Sequence, residues 1–363
     1  MKTCVLRRNI LCVLIFVGVL AVPSWADDAN TGGNPAGRYV VDCAGRKVTL
    51  PETIKRIACL YAFAGHAVTM MGRGDDIVAV AKGLKRDSLL LEICPSILNA
   101  RVPKSQGGIN MEELLKAKPD LVFVSADVGQ NTGETSKLEA FHIPYLIVDY
   151  ASITEQQNAV AMIGQALDAT GKADAYIRYY NDTIQKVHSR VSLIREDRKL
   201  RIYHSVNEAN RTTIPRSLST DWLNVLGVIN VACKKKESII DGHNGVVMEQ
   251  ILIWNPDVIL VNEPSVKKQI LLDRRWAPLE AVKTKKVFLL PIAISRWGHP
   301  GSLETPLAIG WAAKMLYPET FRDIDLAHET RNFYKTFFNY DLSDTEVNQI
   351  LDGKRERIPK KRG

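Results

Sequence analysis

The chain uses one structural unit twice. Gly108-Ile109-Asn110-Met111-Glu112 leads through a helical stretch into Lys118-Pro119-Asp120-Leu121-Val122-Phe123-Val124. Gly245-Val246-Val247-Met248-Glu249 leads the same way into Asn255-Pro256-Asp257-Val258-Ile259-Leu260-Val261. Each copy is a short helix, a Pro-Asp corner and an apolar run. Proline stops the helix, because it lacks an N–H and crowds the preceding turn. The run that follows is aliphatic and unbroken by polar residues, as parallel strands buried on both faces are. A unit of this kind used twice predicts two similar α/β lobes.

The rest of the chain fits that plan. Residues 39–42 and 47–50 predict a hairpin turned at Ala44-Gly45, and strands are expected at 57–60, 77–80, 121–124, 145–148, 201–205, 258–261 and 287–290. Between 154 and 195 there is no proline. Apolar residues recur there at helical spacing, with a break at Gly171, and the second of these helices would run roughly 35 Å at about 1.5 Å per residue. A late helix is expected at 302–317. These features predict a first lobe at 37–172, a bridging helix at 173–197, a second lobe at 198–345 and a basic tail at 346–363.

The start of the chain predicts its compartment. Lys2, Arg7 and Arg8 precede an apolar run from Ile10 to Val22, and Pro23-Ser24-Trp25-Ala26 stands before two acids. A basic head, a short apolar middle and a small residue at the cut describe a signal peptide over residues 1–26. The run is shorter than the roughly 20 residues that a spanning helix needs. The mature protein is therefore expected to be Sec-exported and freely soluble, in the periplasm or secreted. Losing the leader removes three positive charges from a formal +8. The remaining basic residues are scattered except at 234–236 and in the tail, which reads as a solvated end, and no aromatics interleave with them as in single-strand binders. A nucleic-acid partner is not expected. Cys43, Cys59, Cys94 and Cys233 match no zinc spacing; export permits a disulfide, and buried free thiols are the other reading.

An enzyme is not expected. Gly72-Arg73-Gly74 follows a helical stretch rather than a strand, so it lacks the setting of a dinucleotide fingerprint, and there is neither an HExxH nor a G-x-S-x-G turn.

From about Tyr39 to Tyr340 the chain resembles the substrate-binding proteins of metal-chelate importers, whose members carry iron–siderophores, haem, cobalamin or molybdate. The resemblance rests on Val41-Asp42 through Val48-Thr49-Leu50-Pro51, Lys55-Arg56-Ile57 and Lys118-Pro119-Asp120-Leu121-Val122. It also rests on Trp297-Gly298-His299-Pro300-Gly301-Ser302 and Leu316-Tyr317-Pro318-Glu319. It implies two Rossmann-like lobes with mostly parallel sheets bridged by one long helix, a class III periplasmic binding protein. It further implies a monomeric receptor with no intrinsic cofactor, a metal complex as cargo, and an ABC permease with its ATPase as partner. A sensor subunit of the same fold is the rival reading. Among cargoes a ferric siderophore-type complex leads, with molybdate or tungstate, haem or a corrinoid as alternatives.

In open parallel sheets solutes bind beyond the carboxyl ends of the strands. That rule selects Tyr61, His66, Lys82 and Arg86 from the first half and Asn207, Arg211, Arg296, Trp297 and His299 from the second. Most have a second reading: Arg296 pairs with a local carboxylate, Trp297 packs beneath its loop, His66 caps a helix that begins there, and Tyr61 points into its sheet. If Tyr61, His66 and His299 converge, they make a mixed O/N set for a ferric or similar ion. Glu112 and Glu249 open the repeated helices at matching points. They are either capping residues or, as the resemblance implies, the permease contacts, one on each lobe.

Overall fold

The computed structural model describes residues 38–105, 108–233, 244–355 and 358. The leader at 1–26 and its cut after Ala26 lie outside them, as do residues 234–236 and much of the basic tail. The strands are β1 (Tyr39–Val41), β2 (Lys47–Thr49), β3 (Ile57–Cys59), β4 (Ile77–Ala81), β5 (Arg101–Ser105), β6 (Gly108–Ile109), β7 (Leu121–Ser125), β8 (Tyr145–Val148), β9 (Arg201–Ser205), β10 (Ile229–Asn230), β11 (Val258–Val261) and β12 (Val287–Leu289). They form a β1-β2 hairpin, a sheet ordered β6-β5-β4-β3-β7-β8 and a sheet ordered β10-β9-β11-β12. Both large sheets are parallel except for β6, which runs antiparallel to β5.

The repeat is visible as a repeated corner. Helices Met111–Ala117 and Met248–Trp254 end on left-handed residues, Lys118 with φ 46° and Asn255 with φ 39°. The aspartate after each proline turns back to the neighbouring strand. Asp120 Oδ2 accepts the N–H groups of Lys55 and Arg56, both at 2.8 Å, and Asp257 Oδ2 accepts that of Arg201 at 2.8 Å. The guanidinium groups of Arg56 and Arg201 close the circuit by donating to the last carbonyls of the helices, those of Ala117 and Trp254. Unpaired carbonyls at a helix end and a cation to meet them explain why an arginine stands at the start of β9 and just ahead of β3.

Strand periodicity then sorts the core. Val258 and Leu260 join one buried cluster and Ile259 and Val261 another, as alternate residues on opposite faces must. The shared cluster runs from Ile57 and Phe123, through Tyr176 and Tyr180, to Ile202 and Leu260. The outer face of each sheet is closed by its copy of the repeated helix, through Leu114 in one and Ile251 in the other. The bridging helix is Thr170–Val191, preceded by Ile153–Ala166.

The hairpin is fixed by Asp42, which is 5% exposed. Its carboxylate accepts Ala44 N, Arg46 N, the Arg46 guanidinium and Ile147 N, which bolts β1-β2 onto β8. Cys43 in that turn, Cys59, Cys94 and Cys233 are free thiols, so no disulfide joins them. The tail corrects its reading as a wholly solvated end. Arg355 is 7% exposed and pairs with Glu92 of the first sheet's helices. Ile358 N donates to Arg86 O at 2.9 Å, and Arg86 Nε donates back to Ile358 O at 2.8 Å.

Candidate functional site

In a parallel sheet a crevice opens where successive strands are laid on opposite sides of a starting strand, because their following loops part there. In the first sheet β3 has β4 on one side and β7 on the other; in the second, β9 has β10 and β11. Two switch points follow. The first lies between the loops after β3 and β7, the second between the loops after β9 and β11.

At the first switch point Tyr61 stands just before the helix Ala62–Met70 and supplies no side-chain cap to it. Its hydroxyl meets that of Tyr150, the second residue after β8, at 3.2 Å. Burial pushes the phenol of Tyr61 above its ordinary range and that of Tyr150 well above it. Both therefore remain protonated donors at neutral pH. Lys104 of β5 donates to Ser125 Oγ at 3.2 Å and faces Asp127 at 3.6 Å. Lys82, in the turn after β4, is exposed.

At the second switch point Arg296 donates to Asn207 Oδ1 at 2.6 Å and pairs with Glu263. Asn207 holds a left-handed conformation, with φ 68°. Asn262 joins the strands to the loop after β12: its Oδ1 accepts His204 Nε2–H at 2.8 Å and its Nδ2 donates to Trp297 O at 2.9 Å. That loop is also fixed by Gly298, whose φ is +68° and whose carbonyl accepts Trp222 Nε1 and Ser219 Oγ. A Cβ at residue 298 would lie 2.7 Å from Trp222, so the position is closed to any other residue. Beneath the loop the buried Glu304 gathers Ile294 N, Ser295 N, Ser295 Oγ and Tyr334 OH, and burial raises its carboxyl.

Some selected residues are placed elsewhere. His66 lies inside its helix, which begins four residues earlier than expected. It is 2% exposed, with Nε2 at 3.0 Å from the buried Asp87. Tyr61 turns to Tyr150, and His299 Nδ1 accepts Gly301 N at 3.2 Å, so each member of the trio considered for a metal has a different partner. Among the described residues no three of His, Cys, Asp or Glu gather as a metal site. Trp297 is 1% exposed and packs in the core. Arg86 is held by the tail, and Arg211 lies 4.0 Å from Glu208. Glu112 and Glu249 are exposed in the first turns of their helices, Glu112 beside Lys116 at 2.6 Å. Tyr150 and Lys104 were not selected. Tyr150 follows a strand just as Tyr61 does, so the same rule finds it, whereas Lys104 lies in a strand that the pattern did not mark.

Two mostly parallel sheets thus carry hydrogen-bond donors at their switch points. A family model described as periplasmic binding protein matches residues 99–293. The chain belongs to that family. It is 28% identical over 327 residues to the molybdate-binding protein MolA of Haemophilus influenzae, covering 84% of this chain and 91% of the relative. It is similar to the solved structure of MolA bound to molybdate, with TM-score 0.75 and 25% identity, covering 84% of this chain and 99% of that one. It is also similar to a periplasmic solute binding protein of Veillonella parvula, with TM-score 0.73 and 26% identity, covering 87% and 98%. This periplasmic binding protein is thus the solute receptor of an ABC importer rather than an enzyme, and what it holds is cargo, not an intrinsic cofactor. A permease and ATPase are its implied partners. No helix among the described residues is long and apolar enough to cross a membrane.

Proposed function

We propose that this receptor captures a small tetrahedral oxyanion of the molybdate and tungstate class between the two switch points and delivers it to its permease. The observation that carries this reading is the hydroxyl pair of Tyr61 and Tyr150. Phenols held in the protonated form donate hydrogen bonds, which an oxyanion's oxygens accept, whereas coordination of a ferric ion calls for a phenolate. Lys82, Lys104 and Arg296 add positive charge to the same edges, and Asn207 adds an amide. Similarity to a molybdate-binding protein over most of both chains supports the same class. A ferric siderophore-type complex is the second reading. The tilted rings of Tyr61 and Tyr150, 6.5 Å apart, favour it, because flat faces suit a chelate.

Titration calorimetry with sodium molybdate on the exported protein tests the proposal. Tyr61→Phe and Tyr150→Phe each remove one donor to an anion and are expected to weaken binding about tenfold or more. No heat with molybdate or tungstate, together with iron found in the protein as purified, would overturn the oxyanion and leave the chelate.

Glu112 and Glu249 are the docking residues for the permease, exposed in the first turn of each repeated helix. Charge reversal, Glu112→Lys or Glu249→Lys, should reduce uptake in cells while leaving molybdate affinity unchanged. Normal uptake by both variants would return the two glutamates to a capping role.

A further inference from the structure

Where the loops after β9, β11 and β12 meet, Nη1 of Arg296 serves two acceptors. It donates to Asn207 Oδ1 at 2.6 Å and to a carboxylate oxygen of Glu263. Glu263 directly follows Asn262 and opens helix Pro264–Leu272 from its N-cap position, on extended backbone with φ −126° and ψ 129°. That position favours Ser, Thr, Asp and Asn, whose short side chains reach the first turn. The Glu263 side chain makes no cap bond and turns to Arg296 instead. The pair is not needed to hold the loop of Arg296, which is already fixed by Gly298 against Trp222, by Asn262 and by Glu304. Two other cations at the strand ends have looser mates. Arg211 and Glu208 stand 4.0 Å apart, and Lys104 and Asp127 3.6 Å, with both carboxylates largely in water. Of the three pairs, only that of Arg296 has both partners mostly covered, their side chains 13% and 32% exposed. An ion pair gains strength as water is excluded from it.

We propose that Glu263 is an internal competitor for the cargo: its carboxylate occupies Arg296 until an oxyanion displaces it, and its return to Arg296 drives the anion off again. A guanidinium meets a carboxylate and a tetrahedral oxyanion through the same kind of charged oxygen, so one stands in for the other. The exchange keeps Arg296 bonded throughout, which avoids the cost of a covered cation without an acceptor. It also holds the affinity below what the donors alone would give, as suits a receptor that must surrender its solute. This inference rests on the oxyanion reading and adds to it the residue that sets how tightly the anion is kept.

Sodium molybdate and sodium tungstate, each titrated by calorimetry into the exported protein and its variants, provide the test. Glu263→Gln keeps the size of the side chain and removes its charge. It should bind the anion about fivefold more tightly than the native chain. The gain should largely vanish when Arg296→Gln is already present, because the competitor acts through that arginine. Unchanged or weaker binding by Glu263→Gln, or an equal gain with and without Arg296, would overturn the competitor. Should Glu263→Gln not fold, Glu263→Ser, which suits the cap position, takes its place with the same outcomes. A native chain that gives no heat with either anion is a different failure: it removes the oxyanion reading, and this inference with it.

Discussion

In the first half, Arg56 sends Nε and Nη2 to the carbonyls of Ala117 and Lys118, Asp120 takes two backbone N–H groups, and Asn110 caps its helix by accepting Glu113 N. In the second half, Arg201 meets Trp254 O through one nitrogen, Asp257 takes one N–H, and Val247 at the equivalent cap position has no side chain to offer. The same corner is thus held by many polar bonds in one copy and by few in the other. What replaces them is apolar: the second copy ends in Trp254, which packs with Tyr203, Ile251 and Trp276. A repeated topology leaves each copy free to be stabilised by different physics. A second contrast lies in the central strands. Cys59 pairs in register with Phe123, and at the matching place His204 pairs with Leu260. One lobe buries a thiol there, the other an imidazole.

The largest difference between the halves should be their response to acid. Burial lowers the pKa of His204 from 6.5 to about 4, partly offset by its bond to Asn262. Above pH 6.5 both folded and unfolded chains hold the imidazole neutral, and it contributes no pH dependence. As pH falls from 6.5 towards 4, the unfolded chain binds the proton and the folded one resists it. Roughly 3 kcal/mol of stability should be lost over that window. Cys59 has no such window, because burial pushes its thiol far up and it stays protonated throughout. Urea midpoints at pH 7, 5.5 and 4.5 should show the loss, and His204→Gln should flatten it relative to the native chain. Equal slopes in the two proteins would remove His204 as the cause.

Next in size is the corner itself. Asp120→Ala, which strips two backbone donors of their acceptor, should cost about 2 kcal/mol, and Asp257→Ala, which strips one, about 1 kcal/mol. Equal costs measured by denaturant unfolding would mean that the extra bond is redundant. The smallest effects concern the caps. Asn110→Ala should cost about 1 kcal/mol. Val247→Ser, placed on extended backbone with φ −70° and ψ 150°, should add about 0.5 kcal/mol by giving the second copy the cap it lacks. A neutral Val247→Ser would show that packing already fixes that helix start.

The sequence was most informative where local chemistry suffices. Short apolar runs mark β3, β4, β7, β8, β11 and β12, and the Pro-Asp corners mark both repeats. Residues 101–105, Arg-Val-Pro-Lys-Ser, carry a proline and two charges towards the edge of the sheet, so their strand gave no apolar signal. The two-residue strands β6 and β10 are too short to have a period. The helix start at Ala62 was hidden because Tyr61 offers no cap, which misplaced His66 from the helix interior to its end. The candidate site was legible as a set of loops but not as pairs. Arg296 finds Asn207 across 89 residues and Glu263 across 33, and no local pattern announces either. Arg355 finds Glu92 across 263 residues, and by composition alone that tail is indistinguishable from a solvated one.

That tail has a mechanical consequence. A body attached to another along a single rod can swing and twist about it, and each further attachment away from the rod removes one of those freedoms. The Arg355–Glu92 pair and the two bonds between Arg86 and Ile358 form such an attachment, remote in sequence from the bridging helix. Any motion that draws Arg86 and Glu92 away from Arg355 and Ile358 must first break them. Arg355 is almost wholly buried, so added salt should loosen this latch little. Shortening the chain ahead of residue 355 releases it outright.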